Sequence, residues 1–232
     1  MTDGILLIDK PAGMTSFGVV ARVRRVLSEQ AGKKVKVGHT GTLDPFATGL
    51  LILCVGKETK NAMSYTKLDK VYEATVRLGQ TSTTGDPEGE ITDVSDAQPG
   101  HDEVQKALET FVGEITQRPP IYSAIKIGGR RAYDLARAGK DVEVPERTVT
   151  IYSLELVDYT YPELKIRAHV SSGTYIRTLA EDIGKLRQLL LHRRPRKALH
   201  LAHKHVRSEE AVDFALADGA LDGGTTGGEV EI

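Results

Sequence analysis

The chain has 232 residues, of which 40% are hydrophobic and 27% charged, with a formal net charge of −1. That length serves one large domain or two small ones, with enough apolar content for a real core. The absence of any long unbroken apolar run argues against a membrane-spanning helix, and the single Cys54 excludes both an intramolecular disulfide and a cysteine-rich zinc site. The N-terminal MTDGILLIDK lacks the positive charge and long apolar stretch of a signal peptide, so a cytoplasmic protein is expected.

The near-zero net charge conceals an asymmetry. Residues 208–232 hold seven acids and no Lys or Arg, which leaves the first 207 residues with 31 bases against 25 acids. Residues 184–207 alone carry eight Lys or Arg and no acid. A basic body suits a polyanion such as nucleic acid, although a solvated charged face has the same composition.

In chain order, ILLI (5–8) reads as a short buried strand. A helix capped by Thr15 or Ser16 follows to about residue 29, with Val19, Val20, Val23, Val26 and Leu27 on one face. LLILCV (50–55) reads as a buried strand, and YEATVRLG (72–79) alternates Tyr72, Ala74, Val76 and Leu78 as a half-buried strand does. TSTTGDPEGE (81–90) is turn chemistry, and EVQKALETFVG (103–113) predicts an amphipathic helix closed by Gly113. Residues 117–147 look irregular, with a short helix around 131–138. TVTIYSLELVDY (148–159) and LKIRAHVSS (164–172) predict strands, and TYIRTLAEDIGKL opens a further helix. The Gly-rich acidic end predicts disorder. Strands outnumber helices without strict alternation, so the expected class is α+β with a mixed, largely antiparallel sheet flanked by helices and loops.

Three segments hold candidate chemistry. In GHTGTLDPFATGLL (38–51), Asp44 is the only acid and His39 the only imidazole. Pro45 keeps Asp44 out of helical geometry, and the flanking glycines permit a tight turn and close approach of another molecule. An Asx-turn is the structural alternative. In SSGTYIRTLAED (171–182), Gly173 breaks the strand and Thr174 is placed to cap the next helix. Arg177 then falls in the first turn, where the helix dipole disfavours a cation, so it calls for a carboxylate or phosphate partner. In KLDKVYEATVRLG (67–79), Tyr72 stands at a strand mouth, two residues after Lys70, where a ring can stack on a base or simply fill the core. No phosphate-binding loop pattern is present. HLAHKH (200–205) would place His200 and His203 on one helical face, but no acid accompanies them, and a surface cluster is expected rather than a metal site.

Together these segments, with LLIDKPAGMTS (6–16) and RPPIYSAIKIGGRRAYDLARAG (118–139), resemble the TruB-type tRNA pseudouridine synthases over roughly residues 4–184. The resemblance implies the pseudouridine-synthase α+β fold. It also implies isomerisation of the T-loop uridine at tRNA position 55: the base leaves the ribose, rotates and rejoins through carbon 5, with no cofactor and no metal. The aspartate of the G-T-L-D-P segment falls on Asp44, acting as a nucleophile or base at the sugar. The G-T-Y-I-R arginine falls on Arg177, paired with Asp44, and the K-x-Y tyrosine on Tyr72, stacked on the uracil. His39 matches the residue that holds the target nucleotide out of its stack, and Lys10 with Pro11 matches a motif supporting the site floor. RNA contacts are further expected from Lys10, Lys70, Lys126, Arg130, Arg131 and Arg137, the last four in an RNA-gripping insertion at 117–147.

The domain expectation is a catalytic unit over 1–207, including a divergent basic segment at 185–207 that leaves the family pattern. An acidic tail follows at 208–232, with no C-terminal RNA-binding domain. The expected partner is the T-stem-loop of tRNA, bound by a monomer away from any membrane. The divergence at 185–207 also motivates a non-catalytic tRNA-binding or RNA-chaperone protein on the same scaffold. A guide-RNA-dependent synthase of the dyskerin type is disfavoured by the short tail.

Overall fold

A computed structural model describes residues 3–123, 125–132, 144–191 and 200–207. Its centre is a mixed sheet. Strand β1 (Gly4–Lys10) is followed by helix α1 (Ser16–Ala31), β2 (Val37–His39) and β3 (Thr48–Val55). A 3-10 turn (Gly56–Lys60) and the short helix α2 (Ala62–Thr66) lead into β4 (Lys70–Arg77) and a small hairpin, β5 (Gln80–Ser82) and β6 (Ile91–Asp93). Helix α3 (His101–Glu109), β7 (Gly113–Gln117), β8 (Lys126–Ile127) and β9 (Arg130–Arg131) precede the long pair β10 (Arg147–Thr160) and β11 (Glu163–Val170). Helix α4 (Ile176–Leu191) and β12 (His200–Arg207) complete the described chain.

The strand order is β1-β3-β12-β4-β11-β10-β7, with β2 also paired to β3. All pairings in it are antiparallel except β12 with β3. The α+β expectation therefore holds. The basic segment that departs from the family pattern supplies part of α4 and, in β12, the strand that joins β3 to β4. HLAHKH is thus strand rather than helix, and the helical spacing expected for His200 and His203 does not apply.

Register explains where the site can lie. Residues directly opposite on neighbouring strands share a face. Lys10 pairs with Gly49, Gly49 with position 206, position 206 with Tyr72, Tyr72 with Ala168, and Ala168 with Leu154. This row crosses the sheet on the face that carries the helices. At one end α1 packs Val19, Val20 and Val23 against Leu51, Leu53 and Val55. At the other, α3 and α4 bring Val104, Leu108, Ile176, Leu179 and Ile183 onto Tyr72, Ala74, Val76, Ile151 and Ile166. The loop 40–47 lies between the two clusters.

Local chemistry accounts for the element ends. Thr15 caps α1, its hydroxyl accepting from the Gly18 N–H at 2.9 Å, and Gly32 closes the helix in the left-handed region at φ 62°. In α3 the Glu103 carboxylate accepts from the Gly100 N–H, an N-terminal lock.

Several expectations need correction. ILLI does form a strand, but an edge strand whose Leu6 and Leu7 are 36% and 45% exposed, since among the described residues no strand pairs with its outer side. The helix expected over 103–113 ends at Glu109, and Gly113, at φ 112°, opens β7 against Ile151. Sheet pairing thus overrides the helical periodicity there. Thr174 does not cap α4; its hydroxyl donates to the Ser171 carbonyl at 2.9 Å. The Tyr175 N–H is taken by Gln117 Oε1 at 3.0 Å, from the far end of β7. The helix expected at 131–138 lies almost wholly outside the described residues, as does the tail at 208–232.

Candidate active site

Asp44 stands in the loop between β2 and β3, and three separate ties fix the backbone around it. The Ser16 hydroxyl, 2% exposed, donates to the Leu43 carbonyl and accepts from the Leu43 N–H, both at 2.9 Å. The Lys10 ammonium, fully buried, donates to the carbonyls of Pro11 at 2.8 Å, Met14 at 2.6 Å and Pro45 at 3.1 Å. The Gly13 N–H donates to the Pro45 carbonyl at 2.8 Å. The chain between β1 and α1 is thereby clamped onto the loop that carries Asp44.

The carboxylate itself meets Arg177, 133 residues away in sequence. Arg177 Nε lies 3.3 Å from Asp44 Oδ2, and Nη2 donates to Oδ1 at 3.4 Å. Arg177 is 7% exposed. Its Nη1 donates to Asp86 Oδ2 at 3.1 Å and to the Thr84 carbonyl at 3.0 Å, and Nη2 donates to the Tyr122 carbonyl at 2.9 Å. A cation in the first turn of α4 is unfavourable by the dipole alone. Two carboxylates and two carbonyls outweigh that cost, in a geometry only the planar guanidinium fork can satisfy.

Asp44 is therefore not alone, contrary to the sequence reading of one isolated carboxylate. Asp86, 4% exposed, shares its arginine. Asp86 is held in turn by the Thr84 hydroxyl at 2.6 Å and the Glu88 N–H at 3.1 Å. Glu88 also lies within electrostatic reach of the pair; burial pushes its carboxyl up, and Asp86 and Asp44 push it further. The charge is partly offset by Arg177 and by Lys10, whose ammonium is pulled down by burial and held up by Asp44 and Glu88. In sequence TSTTGDPEGE reads only as a turn. A signal is nonetheless present: Asp86, like Asp44, precedes a proline, and hydroxyls crowd the preceding positions.

Tyr72 projects from the sheet row beside this cluster and is 7% exposed. Burial, then the charge of Asp44, then Tyr175 push its phenol far above the ordinary value of 10.0. The ring is thus a neutral face rather than a phenolate. His39, half-buried, ends β2 at the entry to the loop, opposite Leu53. Lys70 is half-buried and directs its ammonium to the Thr66 and Leu68 carbonyls, while its stem lies against Gly41 in the Asp44 loop. Burial lowers its pKa. Lys10 thus ties the Asp44 loop from beneath, whereas the Lys70 ammonium is taken up by the carbonyls of the turn just before β4.

Of the expected insertion contacts, Arg130 is exposed on the β8–β9 hairpin, whose Gly128-Gly129 turn has φ values of 57° and 82° that suit a two-residue hairpin. Lys126 and Arg131 lie on the same hairpin, and Arg137 is outside the described residues. The base of this region is tied to α4: the Thr178 hydroxyl donates to the Arg118 carbonyl at 3.2 Å, and Gln117 brackets Tyr175.

Asp44, Arg177 and Tyr72, drawn from three distant segments, thus meet at one point on the sheet. Residues 24–176 match the sequence profile of the TruB family pseudouridylate synthase N-terminal domain. The chain belongs to the TruB family. It is 50% identical over 183 residues to a tRNA pseudouridine synthase B of Burkholderia mallei, covering 79% of this chain and 59% of that protein. A tRNA pseudouridine synthase B of Cupriavidus taiwanensis is 49% identical over 185 residues, covering 78% of this chain and 57% of that one. The chain therefore spans less than two thirds of the length of these curated relatives. Among solved structures it is similar to a chain in a Cbf5–Nop10–Gar1 complex, with a TM-score of 0.62, 27% identity, and coverage of 88% of this chain and 47% of that one. An H/ACA RNP bound to a substrate RNA containing 2'-deoxyuridine gives a TM-score of 0.60 at 25% identity, covering 94% and 56% respectively. No helix among the described residues is long and apolar enough to cross a membrane.

Proposed function

We propose that this chain isomerises uridine to pseudouridine in the T-loop of tRNA, at position 55, as a cytoplasmic monomer whose activity resides within residues 1–207. The observation that carries the reading is the Asp44 carboxylate, locked in backbone and side chain, gripped by a buried arginine and adjacent to a neutral tyrosine face. Membership of the family and the likeness to tRNA pseudouridine synthase B support the substrate class.

In this reading the target nucleotide leaves its stack, because the glycosidic bond cannot be rearranged while the base is stacked. His39 holds that nucleotide out of its stack, and Tyr72 stacks on the uracil. Asp44 acts at the ribose as nucleophile or base. The N1–C1′ bond breaks, the uracil turns, and a C5–C1′ bond forms as the C5 proton moves to solvent or to N1. No atom is gained or lost, so no co-reactant is required. Arg177 fixes the angle and charge of the carboxylate throughout. Lys126, Arg130, Arg131 and Arg137 meet the phosphates of the T-arm.

The test is tritium release from C5-labelled tRNA and from an isolated T-arm stem-loop. The wild type is expected to release tritium from both. Asp44→Asn is expected to reduce release to background, with tRNA affinity within a few-fold of wild type. Binding by the wild type without release would instead establish a non-catalytic RNA-binding protein on this scaffold.

A further inference from the structure

A basic surface lies apart from the reacting groups. Helix α1 carries Arg22, Arg24 and Arg25 with no acid before Glu29, and Lys33 and Lys34 follow its end. Arg22, Arg25, Lys33 and Lys34 are exposed, Arg24 is half-exposed, and none of the five forms an ion pair among the described residues. At the start of the same helix Phe17 is 64% exposed. The Arg24 guanidinium carbon sits 5.7 Å from the centroid of its ring.

Position gives this surface meaning. Ser16, the residue before Phe17, is bonded to both backbone groups of Leu43, the residue before Asp44. Phe17 therefore follows directly on the residue that anchors the Asp44 loop. Register places Leu51, Leu53 and Val55, on which α1 packs, on the sheet face that bears Tyr72. The helix thus packs on the sheet face that carries the site, and its 16 residues span about 24 Å from the end anchored to the Asp44 loop. An aromatic face backed by a guanidinium suits a nucleobase. A run of cations beyond it, none ion-paired among the described residues, suits a phosphate backbone. With Phe17 as the only large exposed apolar side chain on the helix, its outer face lacks the apolar centre that a protein interface needs.

We propose that the outer face of α1 is a second RNA-binding surface for the substrate tRNA. Phe17, supported by Arg24, stacks on an unpaired base flanking the nucleotide that enters the Asp44 site. Arg22, Arg25, Lys33 and Lys34 hold the phosphates beyond it. This rests on the tRNA reading above.

The experiment measures equilibrium binding of full-length tRNA transcript to the full chain across a salt series, with tritium release recorded in parallel. Phe17→Ala is expected to raise Kd by about tenfold, in the range of a missing base stack, and Phe17→Trp to restore it. Replacing Arg22 and Arg25 by Gln is expected to reduce the slope of log K against log salt by about 0.9 for each phosphate no longer neutralised. A Phe17→Ala Kd within twofold of wild type, or an unchanged slope in the double variant, overturns the proposal. If the wild type fails to bind tRNA, the functional reading falls; if it binds and isomerises while these variants match it, only this inference falls.

Discussion

The two halves of the sheet are built differently, and the site lies where they meet. The α3–α4 half packs a cluster of 18 buried residues among those described, drawn from strands, helices and the Asp44 loop itself. The α1 half packs eight. Asp44 takes its backbone anchors from the smaller half, through Ser16 and Lys10, but its side chain is held by Arg177 from the larger one. Leu43 and Ala47, either side of it, are buried in the larger cluster. A carboxylate fixed from both sides cannot drift when either half moves alone. The consequence of that precision is that the site exists only when both halves are assembled.

The largest test of this division removes the tie from the larger half. Arg177→Met removes the guanidinium that Asp44 and Asp86 share. A loss of about 3–5 kcal/mol in urea denaturation is expected, with tritium release at background. Arg177→Lys should recover part of the stability but little activity, because an ammonium cannot reproduce the fork. Asp86→Asn comes next. It leaves the guanidinium with Asp44 and two carbonyls, so a loss of about 1.5–3 kcal/mol is expected, in line with a hydrogen bond to a charged group. Turnover should fall, but less than in Asp44→Asn. A wild-type rate for Asp86→Asn would show that Asp44 and the loop ties suffice to orient the arginine.

Ser16→Ala cuts an anchor from the smaller half. It strands the buried N–H and carbonyl of Leu43, and a loss of about 1–3 kcal/mol is expected. If turnover survives intact, the α1 side contributes stability and not geometry. The smallest effect is in pH. Tyr72 is raised in the folded chain, so above pH 10.0 the unfolded state releases this proton first and stability falls as pH rises. Tyr65, whose hydroxyl donates to Glu58, is pushed up to about 12 and adds to the same slope. Tyr72→Phe should flatten, but not abolish, the decline in denaturation midpoints between about pH 9 and 11.

Asp44, Arg177 and Tyr72 are legible in the sequence because each sits in a short motif whose local chemistry is odd: an acid before proline among glycines, a cation at a helix start, an aromatic at a strand mouth. Asp86 is hidden because its segment looks like any polar turn, and only the fold shows which cation it serves. Lys10 and Lys70 are visible as charges, but whether a lysine meets solvent or a carbonyl is decided by what packs over it.

The sequence by itself determined the strands with period-two burial, the start of α1 at a Thr15 or Ser16 cap and the family motifs, because those depend on neighbours within a few residues. Tertiary structure alone decided that Gly113 opens a strand rather than closing a helix, that Gln117 rather than Thr174 meets the start of α4, and that residues 200–207 join the two halves of the sheet. Each of those outcomes turns on a partner tens of residues away. Local propensity carries no information about which distant backbone will be there to receive a hydrogen bond.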